Sequence, residues 1–250
     1  MLSGFDFSHW NSDVQVQKYF QQADFVCHKL SEGTAYTDPK SFARAKLFNG
    51  SKPVIWYHLI RPDKGNQPEA EAQHFVSGLK KIATYGMFGI ALDLEIMYVP
   101  NTLQMLEWVI RCVREIRKTF EQPVFIYIGD LYAKSWYDRL PMEECVFWIA
   151  RYRETMPDHQ CVLWQNTDKF NGEQLDHDEC YVDLKTLWLL CGSDDVEKVI
   201  AESGFTPEEI AEVVLGIIRG EYGSGDERKA RLGNKYNVAQ KVVNIIFSEV

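Results

Sequence analysis

"FGIALDLEI" (residues 88–96) is an apolar run in which Asp93 and Glu95 stand where a buried strand would otherwise carry Val, Ile or Leu. Burying an ionised carboxylate is costly unless it is paired or put to use. On a strand, residues i and i+2 face the same way, so the two side chains should project together with Cβ atoms roughly 6–7 Å apart. The alternative is that both carboxylates form ion pairs with Lys or Arg on neighbouring strands.

Two carboxylates so close cannot ionise independently, and one of them keeps its proton at neutral pH. The result is a proton donor beside a carboxylate, which is the pairing that cleavage of a glycosidic bond requires. The stretch therefore predicts a buried strand that carries acid–base chemistry.

Short apolar, β-branched and aromatic runs recur along the chain and predict eight strands, at 2–8, 24–30, 53–59, 88–96, 123–129, 145–152, 161–166 and 180–184. Helical patterns separate the earlier runs, most clearly at 101–120, where apolar residues repeat every three or four positions. Strands that alternate with helices indicate parallel β/α units. The predicted fold class is α/β, a distorted (β/α) TIM-like barrel.

Composition excludes several function classes. The chain has 250 residues, is 46% hydrophobic and carries a net charge of −9, which argues against nucleic acid as a partner. No window approaches 18 apolar residues, so no membrane insertion is expected. The start, "MLSGFDFSHW", shows no secretory signal. The six cysteines are scattered without metal-ligand spacing, so we expect reduced structural thiols, no metal and no cofactor.

The composition changes near residue 192, where a polar, turn-rich stretch begins. Two amphipathic helical patterns follow it and flank "EYGSGDERKARLG" (221–233). We therefore expect a barrel over 1–191, a linker over 192–205 and a small all-α module over 206–250.

Further polar residues should gather at the mouth of the barrel. Working residues in β/α barrels lie at the C-terminal ends of strands, and the first and last strands are neighbours. Asp6, near the end of the first predicted strand, and Asp183, near the end of the last, should therefore join Asp93 and Glu95. Around them the strand ends offer aromatic and polar side chains that suit sugar rings, although each aromatic taken singly is an ordinary core residue: Tyr57, His58, Tyr127, Trp148, Arg151, Tyr152, Trp164 and Gln165.

The segments "GFDFSHWNSD", "HKLSEGTAYTDPKSFARA", "VIWYHLIRP", "IALDLE", "PVFIYIG", "WIARY", "WQN" and "YVDL" occur in that order. Together they resemble glycoside hydrolase family 25, the lysozymes that cut bacterial peptidoglycan, over roughly residues 2–190. The resemblance implies hydrolysis of the β-1,4 bond between N-acetylmuramic acid and N-acetylglucosamine.

By position, the resemblance makes Glu95 the general acid. Asp93 is then its partner carboxylate, serving substrate-assisted or covalent retention. Asp6 and Asp183 match supporting carboxylates. Substrate-binding positions follow from the resemblance and the strand ends together: Glu32, Tyr57, Tyr127, Trp148, Trp164 and Gln165. For Glu32 the alternative is a structural ion pair with Lys29.

The tail "IIRGEYGSGDERKARLGNKYNVAQKVVNII" (217–246) resembles the small three-helix wall-binding repeat that follows some phage lysozymes. The resemblance implies contacts with a muropeptide from Tyr222, Gly225, Asp226 and Arg228. A single copy should bind weakly, but tethering raises the effective concentration of the catalytic domain at the wall. The alternative is a helical cap on the barrel or an element through which two copies dimerise.

These observations predict a lysozyme with peptidoglycan as its partner, in the form of a phage endolysin that stays in the host cytoplasm until lysis. A secreted bacterial autolysin whose signal has been removed would present the same sequence. The rival functions are a catalytically silent peptidoglycan-binding protein and a related endo-N-acetylglucosaminidase.

Overall fold

The computed structural model describes residues 1–86, 88–95, 103–136, 139–141, 144–157, 161–182, 187, 202–206, 209–210, 213–214, 217, 222–223 and 225–247. Its strands are β1 (Leu2–Phe7), β2 (Phe25–Glu32), β3 (Tyr36–Thr37), β4 (Val54–Leu59), β5 (Gly89–Asp93), β6 (Val124–Gly129), β7 (Cys145–Ala150), β8 (Leu163–Thr167) and β9 (Asp176–Cys180). Its helices are α1 (Asp13–Gln22), α2 (Ser41–Phe48), α3 (Pro68–Ile82), α4 (Leu103–Arg117), α5 (Asp130–Trp136), α6 (Gly225–Leu232) and α7 (Tyr236–Phe247).

Eight of the strands close into a barrel in the order β1-β2-β4-β5-β6-β7-β8-β9, and β3 extends β2 as a hairpin. Seven of the eight run parallel, whereas β9 runs antiparallel to both β8 and β1. The predicted TIM-like barrel is confirmed, with one reversed strand.

The last strand differs from the prediction, which placed it at 180–184 and treated it as parallel. Residues 168–175 connect β8 to β9 with one short 3-10 turn, Phe170–Gly172, and no crossover helix. A parallel return needs a connection of a dozen or more residues, so this short one reverses the chain. The first residue of β9, rather than its last, therefore lies at the mouth of the barrel.

Side-chain alternation separates an inner core from an outer one. In β1 the rings of Phe5 and Phe7 join the outer core beneath the helices, while Gly4 and Asp6 point inward. A Cβ atom on Gly4 would lie 2.3 Å from the Phe25 ring, so glycine makes room for that ring inside the barrel. The inner core is aromatic and aliphatic, and includes Ile55, Ala91, Phe125 and Trp148.

The C-terminal residues that the structure describes have an apolar core of their own. It is formed by Ile210, Val213, Val214, Ile217, Leu232, Ala239 and Val242. The boundaries 1–191, 192–205 and 206–250 stay predictions, because residues 188–201 lie outside the described part of the chain.

Cys112 and Cys161 are free thiols, whereas Cys27, Cys145 and Cys180 are buried side chains and Cys191 lies outside the described residues. Among the helices that the structure describes, none has the length and apolar character needed to cross a membrane. In the same residues, no cluster of three or more His, Cys, Asp or Glu side chains could hold a metal ion.

Candidate active site

Four carboxylates meet at one end of the barrel. Asp6 and Asp93 stand at the C-terminal ends of β1 and β5, and Glu95 follows β5 by two residues. Asp176 opens the reversed β9 and is the cross-strand partner of Asp6. Directly paired residues on antiparallel strands have Cβ atoms about 5 Å apart, so these two carboxylates are close neighbours.

The Asp93–Glu95 pair is held by main-chain hydrogen bonds on both sides. The Ile60 N–H donates to the Asp93 carbonyl at 3.1 Å, and the Leu94 N–H donates to the Tyr127 carbonyl at 3.0 Å. Leu94 packs in the outer core, so the residues on either side of it turn toward the mouth. The alternation predicted from the sequence therefore continues past the end of the strand.

The two carboxylates differ in exposure. Asp93 is 6% exposed and Glu95 is exposed to solvent. Asp93 Oδ1 is buried and accepts no hydrogen bond from any residue that the structure describes. The described residues therefore leave this oxygen without the hydrogen-bond donor that a buried polar atom ordinarily has.

Burial raises the pKa of Asp93 well above its usual range, and the neighbouring charge of Glu95 raises that pKa further. The pKa of Glu95 is also raised, chiefly by loss of solvent on its protein side, against the opposing charge of Lys29. Because the two groups interact, their protons belong to the pair. The pair thus retains a proton at a pH where isolated carboxyls have lost theirs.

Gln165 fixes the position of Asp6. Its Nε2 donates to Asp6 Oδ2 at 2.8 Å, and its Oε1 accepts from the hydroxyls of Tyr127 and Tyr152, each at 2.7 Å. Burial, followed by the charges of Asp176 and other carboxylates, raises the pKa of Asp6 well above its usual range. Gln165 was predicted to bind substrate directly, but the structure buries it as a link between Asp6 and two tyrosines.

Asp176 was missed by the sequence analysis. Burial and the charges of Asp168 and Glu95 raise its pKa to about 6. The signal that could have found it is the short connection between the last two strands, which places the start of the final run at the mouth. Asp183, which was predicted from a parallel last strand and from the family resemblance, lies outside the described residues, and the last strand that the structure describes is antiparallel.

Trp148 and Trp164 were predicted to bind substrate, and the structure corrects both placements. Trp148 is 1% exposed inside the barrel, where its Nε1 donates to Asp178 Oδ1 at 2.7 Å beneath the ring of Tyr127. Trp164 points to the outer face of β8, because its neighbour Gln165 points inward, and its Nε1 donates to the Arg151 carbonyl at 2.8 Å. Trp148 therefore lies beneath the mouth, and the side chain of Trp164 does not reach the mouth.

Tyr57 and Tyr127 do line the bottom of the mouth. Both hydroxyls have protein acceptors, since Tyr57 donates to the Phe7 carbonyl at 3.3 Å and Tyr127 donates to Gln165. Burial raises the pKa of each phenol, and Asp6 and Asp93 raise it further. The two rings therefore remain neutral donors with fixed orientation.

Glu32 stands on the rim of the mouth. It accepts from Lys29 Nζ at 2.7 Å and from the Arg61 guanidinium, which also pairs with Asp63. The ion pair with Lys29, named above as the alternative, is present. Lys29 also acts on the pKa values of Asp93 and Glu95, so this pair adjoins the catalytic candidates.

Some of the tail residues that are predicted to bind the wall make contacts within the protein. Arg228 donates to the Gly223 carbonyl through Nε at 3.1 Å and Nη2 at 2.8 Å, which ties the turn to α6. Tyr222 packs against the small core of the module. Gly225 and Asp226 lie in the first turn of α6, where a negative charge is favourable.

Two family models match separate parts of the chain. The model for glycosyl hydrolases family 25 matches residues 5–174, and the model for the CW_7 repeat matches residues 208–247. A search of curated protein sequences gave no match.

Solved structures share the fold of the barrel. A muramidase from Acremonium alcalophilum is 24% identical with a TM-score of 0.61, over 78% of this chain and 100% of that one. The catalytic domain of the endolysin ply40 from bacteriophage P40 of Listeria monocytogenes is 23% identical with a TM-score of 0.61, over 77% and 98%. The autolysin LytC from Streptococcus pneumoniae, solved with a synthetic peptidoglycan ligand, is 18% identical with a TM-score of 0.57, over 71% and 46%.

Proposed function

Because this chain belongs to glycosyl hydrolase family 25 and is a glycoside hydrolase, we propose that it is a lysozyme of bacterial peptidoglycan. The bond cleaved is the β-1,4 linkage between N-acetylmuramic acid and N-acetylglucosamine. The observation that carries the proposal is the pair Asp93–Glu95 at the mouth. Both carboxyls have raised pKa values, and Asp93 Oδ1 accepts no hydrogen bond from the residues that the structure describes.

Glu95 acts as the general acid. It gives its proton to the glycosidic oxygen as the bond from that oxygen to the anomeric carbon breaks. Its carboxylate then takes a proton from the water that adds to the same carbon, so the residue ends the cycle as it began. Its exposure suits this role, because the donor must reach an incoming substrate.

Asp93 stabilises the positive charge that develops on the sugar. Its free Oδ1 acts either as the nucleophile or as the acceptor for the N–H of the substrate's acetamido group, whose own oxygen then attacks. A substrate with a free amine in place of the acetamido group separates the two mechanisms, because only the covalent mechanism can still use it. Asp176 supports the pair, because its charge raises the pKa of Asp93 and so favours a protonated acid at the mouth. Asp6 lies opposite Asp176 and is held in place by Gln165.

The tail is proposed to hold the enzyme at the wall, on the support of the CW_7 repeat match. A catalytic barrel followed by a wall-binding module fits an endolysin that degrades the wall of a bacterial host. The same pair of modules also suits an autolysin. Whether the protein is an endolysin or an autolysin therefore has to be tested by identifying where it acts.

The test is a digest of purified peptidoglycan by the wild type and by Glu95→Gln, with borohydride reduction of the products and identification of the new reducing ends by mass spectrometry. Muramitol ends from the wild type are expected, and Glu95→Gln should lower turnover by about 10²–10⁴-fold while it leaves folding and wall binding unchanged. Glu115→Gln, in an ion pair with Lys118 on α4 and away from the mouth, is the matched control and should keep full activity.

Two results would overturn the proposal. Glucosaminitol ends would make the protein an endo-N-acetylglucosaminidase. An absence of new ends from protein that still pellets with the wall would make it a silent binding module.

A further inference from the structure

We propose that Trp10, whose ring is tilted against that of His9, which in turn lies beside Tyr36, is a preformed binding site for one more sugar ring of the glycan strand at the edge of the mouth. These three residues are called the aromatic rim below. The inference rests on the proposed function, since it extends the cleft in which that function would take place.

Trp10 is 85% exposed, a higher fraction than any other aromatic side chain that the structure describes. Tryptophan is ordinarily well buried, because its large apolar surface is costly to leave in water. Its ring centroid lies 4.5 Å from that of His9, with an interplanar angle of 37°. The indole therefore contacts the His9 ring and leaves most of its surface open to a ligand.

The loop that carries Trp10 is held rigidly from below. Arg44, which is 3% exposed, donates to the Ser8 carbonyl at 2.7 Å and to the Asn11 carbonyl at 2.6 Å. Buried Asp38 accepts from the His9 main-chain N–H at 2.8 Å and lies 3.2 Å from His9 Nδ1. A binding group that is fixed before the ligand arrives loses less conformational entropy on binding.

The aromatic rim is continuous with the catalytic candidates. The Tyr36 hydroxyl lies 3.2 Å from His9 Nδ1, and Lys29 Nζ lies 5.7 Å from the centre of the Tyr36 ring. The charge of Lys29 in turn acts on Asp93 and Glu95. A glycan strand whose scissile bond lies at Glu95 could therefore reach Trp10 with a sugar farther along the same strand.

The chemistry of the aromatic rim selects the occupant. A pyranose ring presents an apolar face of C–H groups and a rim of hydroxyls, and an open indole with nearby polar groups matches both. The negative charge around the mouth disfavours an anionic partner. We therefore assign the aromatic rim to an uncharged sugar ring of the N-acetylhexosamine type.

The experiment compares Trp10→Ala, Trp10→Phe and the wild type on long glycan strands freed of stem peptides and on short fragments. Trp10→Ala should lower kcat/KM on long strands about tenfold or more, which is typical of a tryptophan anchor, mainly through KM. Trp10→Phe should recover most of that loss. Short fragments and the melting temperature should be unaffected, because the indole is not part of the core. Leu47→Ala, an exposed apolar side chain near the end of α2, is the control.

Equal cleavage of long strands by Trp10→Ala and the wild type would overturn the inference. An equal loss on long and short substrates would also overturn it, because the residue would then act at the reacting bond or on the fold. If the wild type cleaves nothing, the proposed function fails. Calorimetric titration of wild type and Trp10→Ala with the same long strands then still decides the inference, since only a working aromatic rim makes the wild type bind more tightly.

Discussion

Gln165 offers the sharpest test of how the site is held together, because one amide satisfies three groups. Replacing it by Leu keeps the side-chain size and removes the hydrogen bonds to Asp6, Tyr127 and Tyr152. Asp6 and Tyr127 are each 7% exposed, so water cannot readily replace the lost partner. Tyr152 is 52% exposed, and its hydroxyl can turn to solvent at little cost.

The magnitude follows from the two buried groups. A buried polar group left without a partner costs about 1–3 kcal/mol, so the pair costs roughly 2–6 kcal/mol. Taking about 4 kcal/mol, and 2–4 °C per kcal/mol for a domain of this size, the melting temperature of Gln165→Leu should fall by roughly 8–16 °C. Tyr152→Phe removes only the exposed hydroxyl and should stay within about 1 kcal/mol of the wild type.

Thermal unfolding followed by circular dichroism measures both variants, and Gln165→Glu adds a pH dependence. The new carboxyl faces Asp6, so the folded state raises the carboxyl pKa values further. A carboxyl whose pKa is raised by folding contributes stability at low pH, and that contribution is lost as the pH rises through the folded pKa. Gln165→Glu should therefore lose stability relative to the wild type as the pH rises. A melting temperature for Gln165→Leu within the range of Tyr152→Phe would refute the assigned role of the amide.

Three further predictions concern the acids and the tail. Burial raises the pKa of Asp178, so the wild type should lose stability as the pH rises through the folded pKa of this carboxyl. Asp178→Asn should show a smaller loss when melting temperatures are measured across the same pH range. Parallel curves for the two proteins would contradict this prediction. Asp176→Asn should lower kcat/KM on peptidoglycan at least tenfold and more than Asp183→Asn does. The reverse order would favour Asp183 as the supporting acid. Ending the chain after residue 205 should weaken pelleting with the wall more than cleavage of soluble fragments, and equal loss of both would make the tail structural.

Much of the site could be read from local patterns. The alternation in "GIALDLEI" (89–96) placed Asp93 and Glu95 on one side, and the same period of two held past the end of β5. Asp6 is predictable because the sequence shows the first strand, and the C-terminal ends of barrel strands lie at the mouth. These positions depend only on residues within one run, which is the range over which sequence patterns are informative.

The two tryptophans show where that reasoning stops. Trp148 and Trp164 both lie in strands whose ends approach the mouth, and both have polar tips. Whether an aromatic side chain forms a floor, a wall or an outer surface depends on strand register and on depth along the barrel axis. Trp148 points inward but lies too deep, and Trp164 is one residue out of phase with Gln165.

Asp176 shows that the direction of a strand decides which of its residues lies at the mouth. The rule that working residues lie at the C-terminal ends of strands assumes that every strand is parallel. Residues 168–175 are too few for a crossover helix, so β9 must run backwards and present its first residue beside Asp6. The length of the connection between two strands thus indicates which residue lies at a site, even where the residues of the site themselves give no such signal. In a barrel closed by a short final connection, the last acid should be sought at the start of the last strand.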